Sequence, residues 1–457
     1  MKLKLFITLM LALLTSVSHA NILTVKSGSS IQSVIQQAKD GDTILVEPGY
    51  YHESIYIDKL NITLRGLIKD GKYAHLDGKS KLNDGIIASG HGITIDSLKV
   101  TGYKGNAIMT QGANNFKIIN NVVHAAFYGI FPQFGKNGLV KGNVISGADD
   151  AGIYVGMCDH IDVIGNTTFE NVMGIEFENT RHALMADNLI YNNSSGITLT
   201  LIPSLPVKDA HHQVIRNNII RNNNLANFAP ASSIAATVPE GVGILIEAVD
   251  DVIIIDNIIE DNKTVGIFVT DMYTFGLGGD SKVEPYVDNI QIYQNTLINN
   301  GNEPFGTLGD LITMTGKTGL ELLTTGKERT SCYAKQKELD QMGADKWTIC
   351  GEKFSSTDYK TAMLDKPFDS PKYTAEQKGR LTYLAVCSGC HTYNTVLHGP
   401  SMQAIQAMYT DNLAGLEKYI ANPERKRKDF SEMPPQAYLG EENISAIAKY
   451  VLFDLKN

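Results

Sequence analysis

From about residue 100 to residue 300 the apolar positions come in short alternating bursts, such as GIYVG at 152–156, HIDVIGN at 160–166 and GIEFEN at 174–179. Glycine, asparagine or aspartate closes each burst. Alternation at period two over so few residues is the pattern of short strands joined by turns. A Gly-Ile pair recurs at Gly129, Gly152, Gly174, Gly196, Gly243 and Gly266, with spacings of 23, 22, 22, 47 and 23. Asparagine before a β-prone residue recurs at Asn121, Asn143, Asn166, Asn188, Asn218, Asn257 and Asn295, with early spacings of 22, 23 and 22. Two registers that keep one period indicate a repeat architecture. Leucine is too sparse for a leucine-rich repeat, and propeller blades are about twice as long. The pattern therefore predicts stacked coils of parallel strands, a right-handed parallel β-helix. Ile153, Ile175, Ile197, Ile244 and Ile267 form one inward column. The asparagines form a ladder, each amide bonding its equivalent about 4.8 Å away. The long spacings are insertions, chiefly at 201–240.

Upstream, IQSVIQQAKDGDTILVEPGYY predicts an amphipathic helix over about 31–38, followed by strands around a Pro-Gly turn. A helix there caps the open end of a solenoid, which otherwise exposes unpaired strand edges. Residues 1–20 have Lys2 and Lys4, an apolar run and Ser18-His19-Ala20, the pattern of a signal peptide for export to a periplasm. No later stretch of eighteen apolar residues occurs, so no membrane span is expected. The net charge is −9, and the tail from 371 is almost neutral, so the acid lies in front. An acidic body argues against nucleic acid and anionic membranes as partners.

This opening segment and the runs AGIYVG, NVMGIEFEN and TVPEGVGILI resemble exported β-helix proteins of the pectin-lyase-like superfamily. That superfamily includes polysaccharide lyases, hydrolases and epimerases. The narrower resemblance is to a group that accompanies c-type cytochromes. It covers roughly residues 25–305.

The tail differs. AVCSGCHTYN at 385–394 contains Cys387, Cys390 and His391 as C-x-x-C-H, the attachment motif of covalent haem c. Two amphipathic segments flank it, YTAEQKGRLTYLAV and EENISAIAKYVLFDL. Gly379 and Tyr383 on the first, with Ile447 and Tyr450 on the second, resemble the helix crossing of class I cytochromes c. The resemblance implies His391 and Met433 as axial iron ligands, with Met402, Met408 and His398 as alternatives to Met433, and Pro400 as the carbonyl that receives the His391 proton. The basic run Arg425–Lys428 reads as a solvated loop or a docking patch. Cys332 and Cys350 can pair in an oxidising compartment, leaving Cys158 as a buried thiol.

Outward positions of the β-helix also stack. Tyr154, Glu176 and Thr198 make one column, and Gly156, Glu178, Thr200 and Glu247 the next. Glu176 and Glu178 share a face because strand side chains repeat every two residues, and Arg181, His182, Asp159 and His160 follow in the next turn. Such groups are candidates for cation binding and sugar proton abstraction, although the expectation is a solvated charged flank. Asp159-His160 is distantly similar to a mannuronan epimerase motif whose longer form is absent. Met157, Cys158 and His160 admit a soft-metal reading, but alternation points Met157 into the core.

The sequence thus predicts a multidomain chain: a signal peptide at 1–20, a β-helix at 21–305, a connector at 306–370 and a small all-α class I cytochrome c domain with one haem at 371–457. The expected function is periplasmic single-electron transfer with a redox partner, such as another c-type cytochrome, the β-helix serving as a glycan or partner scaffold. The alternatives are a uronic-acid polymer lyase or epimerase, with Glu176, Glu178, Arg181 and His182 as candidate catalytic groups, and delivery of a metal or cofactor to a periplasmic metalloenzyme.

Overall fold

The computed structural model describes residues 20–456 apart from 279, 328–329, 335–338, 352–354, 395, 397–398 and 426–432. Residues 1–19 of the signal-peptide segment, His398 and most of the basic run 425–428 lie outside the described residues.

Three parallel sheets of 13, 11 and 10 strands wrap one another as a right-handed β-helix. The repeats fall in register, with Ile153 opposite Ile175, then Ile197, Ile244 and Ile267. These isoleucines are fully buried in one continuous core, as the alternation requires. The glycine preceding each is set by contact distance. A Cβ at Gly174 would fall 2.7 Å from the Gly196 carbonyl oxygen, and one at Gly196 would fall 2.4 Å from that of Gly243. Neighbouring coils approach too closely there for any side chain.

The asparagine ladder runs unbroken from Asn121 to Asn295. Each Nδ2 donates to the next Oδ1 at 2.8–3.0 Å. A second ladder lies five residues further on, through Asn171, Asn193, Asn223, Asn262 and Asn300. Together they pin both ends of the short strands of the 10-stranded sheet and satisfy buried backbone groups that a turn leaves unpaired.

The helix Ile31–Gln37 is capped by Ser30, whose Oγ accepts from Ser33 N at 3.1 Å, and it buries Ile31 and Ile35 over the first coil. Past residue 305, Leu322–Thr324, Cys332–Tyr333, Gln341–Met342 and Thr348–Ile349 continue the sheets. Cys332 and Cys350 form a disulfide, and Cys158 is a buried free thiol.

The chain then runs back along the 13-stranded sheet. Tyr359 O accepts from Arg216, Ala362 N donates to Asp162, Leu364 N to Asn137 and Phe368 N to Asn115. As the strap advances, its partners fall in number, so it carries the C-terminal segment to the first coils. There a few short helices follow: Ala375–Thr382, Met402–Met408, Leu413–Ala421 and Glu441–Lys449. The first and last cross closely, since a Cβ at Gly379 would lie 2.3 Å from Ala446 O. Tyr56 of the 11-stranded sheet hydrogen-bonds Thr382 Oγ1 at 2.9 Å, and Ile87, Met109 and Phe131 share the helices' apolar cluster. No helix among the described residues is long and apolar enough to cross a membrane.

Candidate functional site

The outer face of the 11-stranded sheet changes character along its length. Its first coils, Tyr56 to Phe131, are apolar and covered by the C-terminal helices. The next coils place Tyr154 opposite Glu176 and Glu176 opposite Thr198; in the neighbouring column Gly156, Glu178, Thr200 and Glu247 stack. Both columns have the composition read from the sequence. The solvated flank is not observed. Within the 201–240 stretch, His211–Arg216 and Ile219–Arg221 keep the coil in the other two sheets, and the segment after them folds over this face, its short helix Ile234–Thr237 roofing a cleft of about 170 Å³. Asp150, from the preceding turn, joins the wall. Glu176, Asp150 and Glu247 are only 6%, 6% and 4% exposed, and Glu178 stands at the mouth.

Burial raises every carboxyl here, because water is removed from the charged form and the carboxylates repel each other. Burial, then repulsion from Glu178, lifts Asp150 to about 7, while a Ser233 hydrogen bond opposes this. Burial lifts Glu178 to about 7 against the lowering effect of the Tyr154 hydroxyl, which it accepts. Burial, with Asp271 and Glu178 nearby, takes Glu247 to about 8. Glu176 is held well above the usual range by burial and by Asp150 and Glu178. Glu247 Oε1 and Thr198 Oγ1 are buried without hydrogen-bond partners and line the cleft. Acids that hold protons near neutrality, beside a carboxylate that releases one, are equipped for proton transfer.

Arg181 and His182, grouped with the glutamates in the sequence reading, lie round the next corner on the 13-stranded sheet. Asn179 and Thr180 turn the chain between them. Arg181 pairs with Asp209 and His182 with Asp159, so neither lines the cleft. Met157 is buried, as expected, although by a different local route. Its left-handed backbone (φ 54°) interrupts the alternation, and Cys158 takes the place in the central core. Burial pushes the Cys158 thiol up to about 12, and its Sγ donates to Pro132 O; it is an inert thiol.

In the C-terminal segment, Cys387, Cys390, His391, Pro400 and Met433 line one largely apolar cavity. His391 Nδ1 lies 2.8 Å from Pro400 O. Met402 and Met408 line the same cavity.

Asp150 and the roof escaped the sequence reading. Asp150 sits in a turn rather than a repeat column, and the roof is an insertion with no period. His211 and His212 were missed because they open a strand inside the stretch read as an insertion.

A family model described as periplasmic copper-binding protein (NosD) matches residues 37–204, and one described as right handed beta helix region matches residues 203–323. No curated protein sequence matches the chain. Among solved structures, the mannuronan C-5 epimerase AlgE4 A-module of Azotobacter vinelandii is similar at 15% identity and TM-score 0.48, over 72% of this chain and 85% of that one. The periplasmic alginate epimerase AlgG is similar at 15% identity and TM-score 0.38, over 72% and 76%. The catalytic unit of the GH87 α-1,3-glucanase of Streptomyces thermodiastaticus is similar at 11% identity and TM-score 0.44, over 72% and 67%. At these identities the likeness concerns the fold.

The expectation that single-electron transfer is this chain's function is therefore corrected. Both family models fall on the β-helix, and the supposed scaffold carries a roofed carboxyl cleft.

Proposed function

We propose that the chain is an exported, periplasmic, polysaccharide-acting β-helix protein whose chemistry is proton transfer at a sugar ring. The observation that carries this reading is the pairing of Glu176 and Glu178, two residues apart on one strand, in a roofed cleft whose burial raises both carboxyls, Glu178 to about 7. The substrate class is a uronic-acid polymer. A fully ionised cleft would repel a uronate, whereas a protonated Glu176 donates a hydrogen bond to the sugar carboxylate and takes up charge as C5 loses its proton. Glu178, oriented by Tyr154, is the base that receives that proton. In an epimerase the C5 carbanion is reprotonated from the opposite face. In a lyase the electron pair forms the C4–C5 double bond, and the departing C4 oxygen is protonated by a neighbouring acid such as Asp150.

The test is exchange of the C5 hydrogen with deuterium from solvent, followed by NMR on mannuronate, guluronate and galacturonate oligomers, with ultraviolet absorbance reporting any new double bond. Wild type should exchange or cleave one of them. A Glu176→Gln/Glu178→Gln chain should lose about 10²–10⁴ in rate. Equal activity in that variant, or none in wild type on any of these polymers, overturns the reading.

We propose further that the C-terminal segment is a class I cytochrome c domain with one covalent haem, held through Cys387 and Cys390, with His391 and Met433 as axial ligands. The fit is supported by the shared cavity and by the His391–Pro400 hydrogen bond, which leaves Nε2 free to face the cavity. It is supported also by Gly399, where a Cβ would fall 2.3 Å from His391 Cε1. Such a group supplies a one-electron centre.

A further inference from the structure

Where the chain enters the strands of the 13-stranded sheet, each coil has one residue with a left-handed backbone. Asp159 pairs with Arg181, Arg181 with His211 and His211 with Asp250, so the residues that follow them stack: His160, His182, His212 and Asp251. Their φ angles are 60°, 46°, 56° and 53°. In flanking coils the same position is Asn115, Asn137 and Asn289, with φ of 55°, 58° and 56°. Asparagine is a residue this conformation favours, and here it also serves the stack, since Asn137 Nδ2 donates to Asn115 Oδ1 at 2.8 Å. The solenoid supplies its own control. The turn asks for asparagine, and three successive coils carry imidazole instead.

A fourth imidazole, His211, enters from the neighbouring position. Ring centroids are 4.7 Å apart for His160 and His182, 5.2 Å for His182 and His211, 5.1 Å for His182 and His212, and 4.8 Å for His211 and His212. One ligand atom from each of His182, His211 and His212 lies within 4.8 Å of the others, and Asp159, His160 and His182 form a second such group. His211 Nδ1 and His212 Nδ1 are 2.7 Å apart. Asp159 Oδ1 lies 2.9 Å from His182 Nδ1, which fixes that ring and turns Nε2 outward. A carboxylate behind a histidine is the arrangement that orients a metal-binding imidazole.

We propose that this corner is a binding site for one divalent transition-metal ion, held by His182, His211 and His212, with Asp159 orienting His182 and His160 beside it. The donors are imidazole with supporting carboxylate, and sulfur takes no part. That set suits borderline ions, Cu²⁺, Ni²⁺ or Zn²⁺, rather than Cu⁺ or Ca²⁺. The site faces away from the carboxyl cleft and is independent of any reaction there.

The full-length mature chain, freed of metal with a chelator, is titrated separately with Cu²⁺, Ni²⁺, Zn²⁺ and Ca²⁺ by calorimetry, and the Cu²⁺ form is examined by electron paramagnetic resonance. One equivalent should bind, with nitrogen hyperfine structure from more than one imidazole and no comparable uptake of Ca²⁺. His182→Asn restores the residue this turn carries elsewhere and should fold normally, yet lose tight binding. Asp159→Asn should weaken it by about 10–100-fold. His124→Asn, on the 10-stranded sheet, should leave it unchanged. Equal binding by wild type and a His182→Asn/His212→Asn chain overturns the site, as does a preference for Ca²⁺.

Discussion

Tyr154 and Glu178 are diagonal neighbours on adjacent coils, and the phenol donates its proton to the glutamate carboxylate across the gap. The residue directly opposite Glu178 is Gly156, and its missing side chain makes the contact possible. A Cβ there would lie 2.8 Å from Tyr154 Cε1, in the space the ring crosses. Because this hydrogen bond favours the ionised carboxylate, it lowers Glu178 against the larger effect of burial. Tyr154→Phe should therefore raise Glu178 above about 7, and the rising limb of the pH–rate profile should move to higher pH. At pH 7 the rate falls, while at the alkaline side it recovers in part. A limb that stays in place removes Tyr154 from the role of orienting the base.

The same cleft makes stability depend on pH with a definite sign. Asp150, Glu178 and Glu247 have folded values of about 7, 7 and 8, raised from the usual range near 4. A carboxyl raised on folding contributes stability that is fully present below its unfolded value and is lost as pH rises through the folded one. Tm should thus fall between about pH 4 and pH 8. Glu247→Gln, which cannot ionise, should flatten that slope and raise Tm at pH 8. A Tm that climbs over this interval in wild type contradicts the buried-carboxyl account.

The repeat was legible because its two strictest demands each admit essentially one residue. Contact between coils requires glycine at 152, 174 and 196, and the buried turn amides require asparagine at 143, 166 and 188. The second asparagine ladder, five residues behind the first, was missed, since several of its members lie in N-rich runs such as RNNN at 221–224 that read as plain loop. The outward columns were also legible, since period two fixes which residues share a face. Their environment was not. Whether Glu176 meets water depends on the fold of residues 226–240, which have no period. The separation of Arg181 and His182 from the glutamates rests on the corner at Asn179-Thr180, where sequence distance is short but the face changes.

Asn188 tests the ladder itself. Its Oδ1 accepts from Asn166 N and Nδ2, while its Nδ2 donates to Val163 O and Asn218 Oδ1. Asn188→Ala strands several buried polar groups, each costing about 1–3 kcal/mol. The urea midpoint should fall markedly. A shift no larger than that of an exposed substitution such as Lys141→Ala would mean the ladder is not a main source of stability.

For the C-terminal helices, protein exported from cells with haem-attachment machinery should carry one covalent haem per chain by pyridine haemochrome. Met433→Ala should remove the sulfur-to-iron charge-transfer band and leave the stoichiometry unchanged. If Met402→Ala removes the band and Met433→Ala does not, the sixth ligand is Met402. A chain without haem under these conditions rejects the assignment of Cys387, Cys390 and His391.

The strap makes the last prediction. Between Tyr359 and Phe368 it forms no ladder with the sheet. Its backbone amides are taken up instead by side chains on successive coils: Ala362 N by Asp162 at 2.7 Å, Leu364 N by Asn137 at 2.9 Å and Phe368 N by Asn115 at 2.7 Å. Asp162 also accepts from Thr361 Oγ1, so it holds the strap twice. Hydrogen bonds to a charged group contribute about 1.5–3 kcal/mol, and each 1.36 kcal/mol is tenfold in an equilibrium. Asp162→Ala should therefore speed hydrogen exchange at Ala362 by about 10–100-fold. The amides of the asparagine ladders should keep their protection, because the coils beneath are bonded independently. Adding Asn115→Ala should extend the loss to Phe368 and expose residues 359–370 to proteolysis, releasing the C-terminal helices as a fragment. Were Ala362 to exchange at the wild-type rate in Asp162→Ala, the strap would be held by apolar contact alone, and these side chains would not be its anchors.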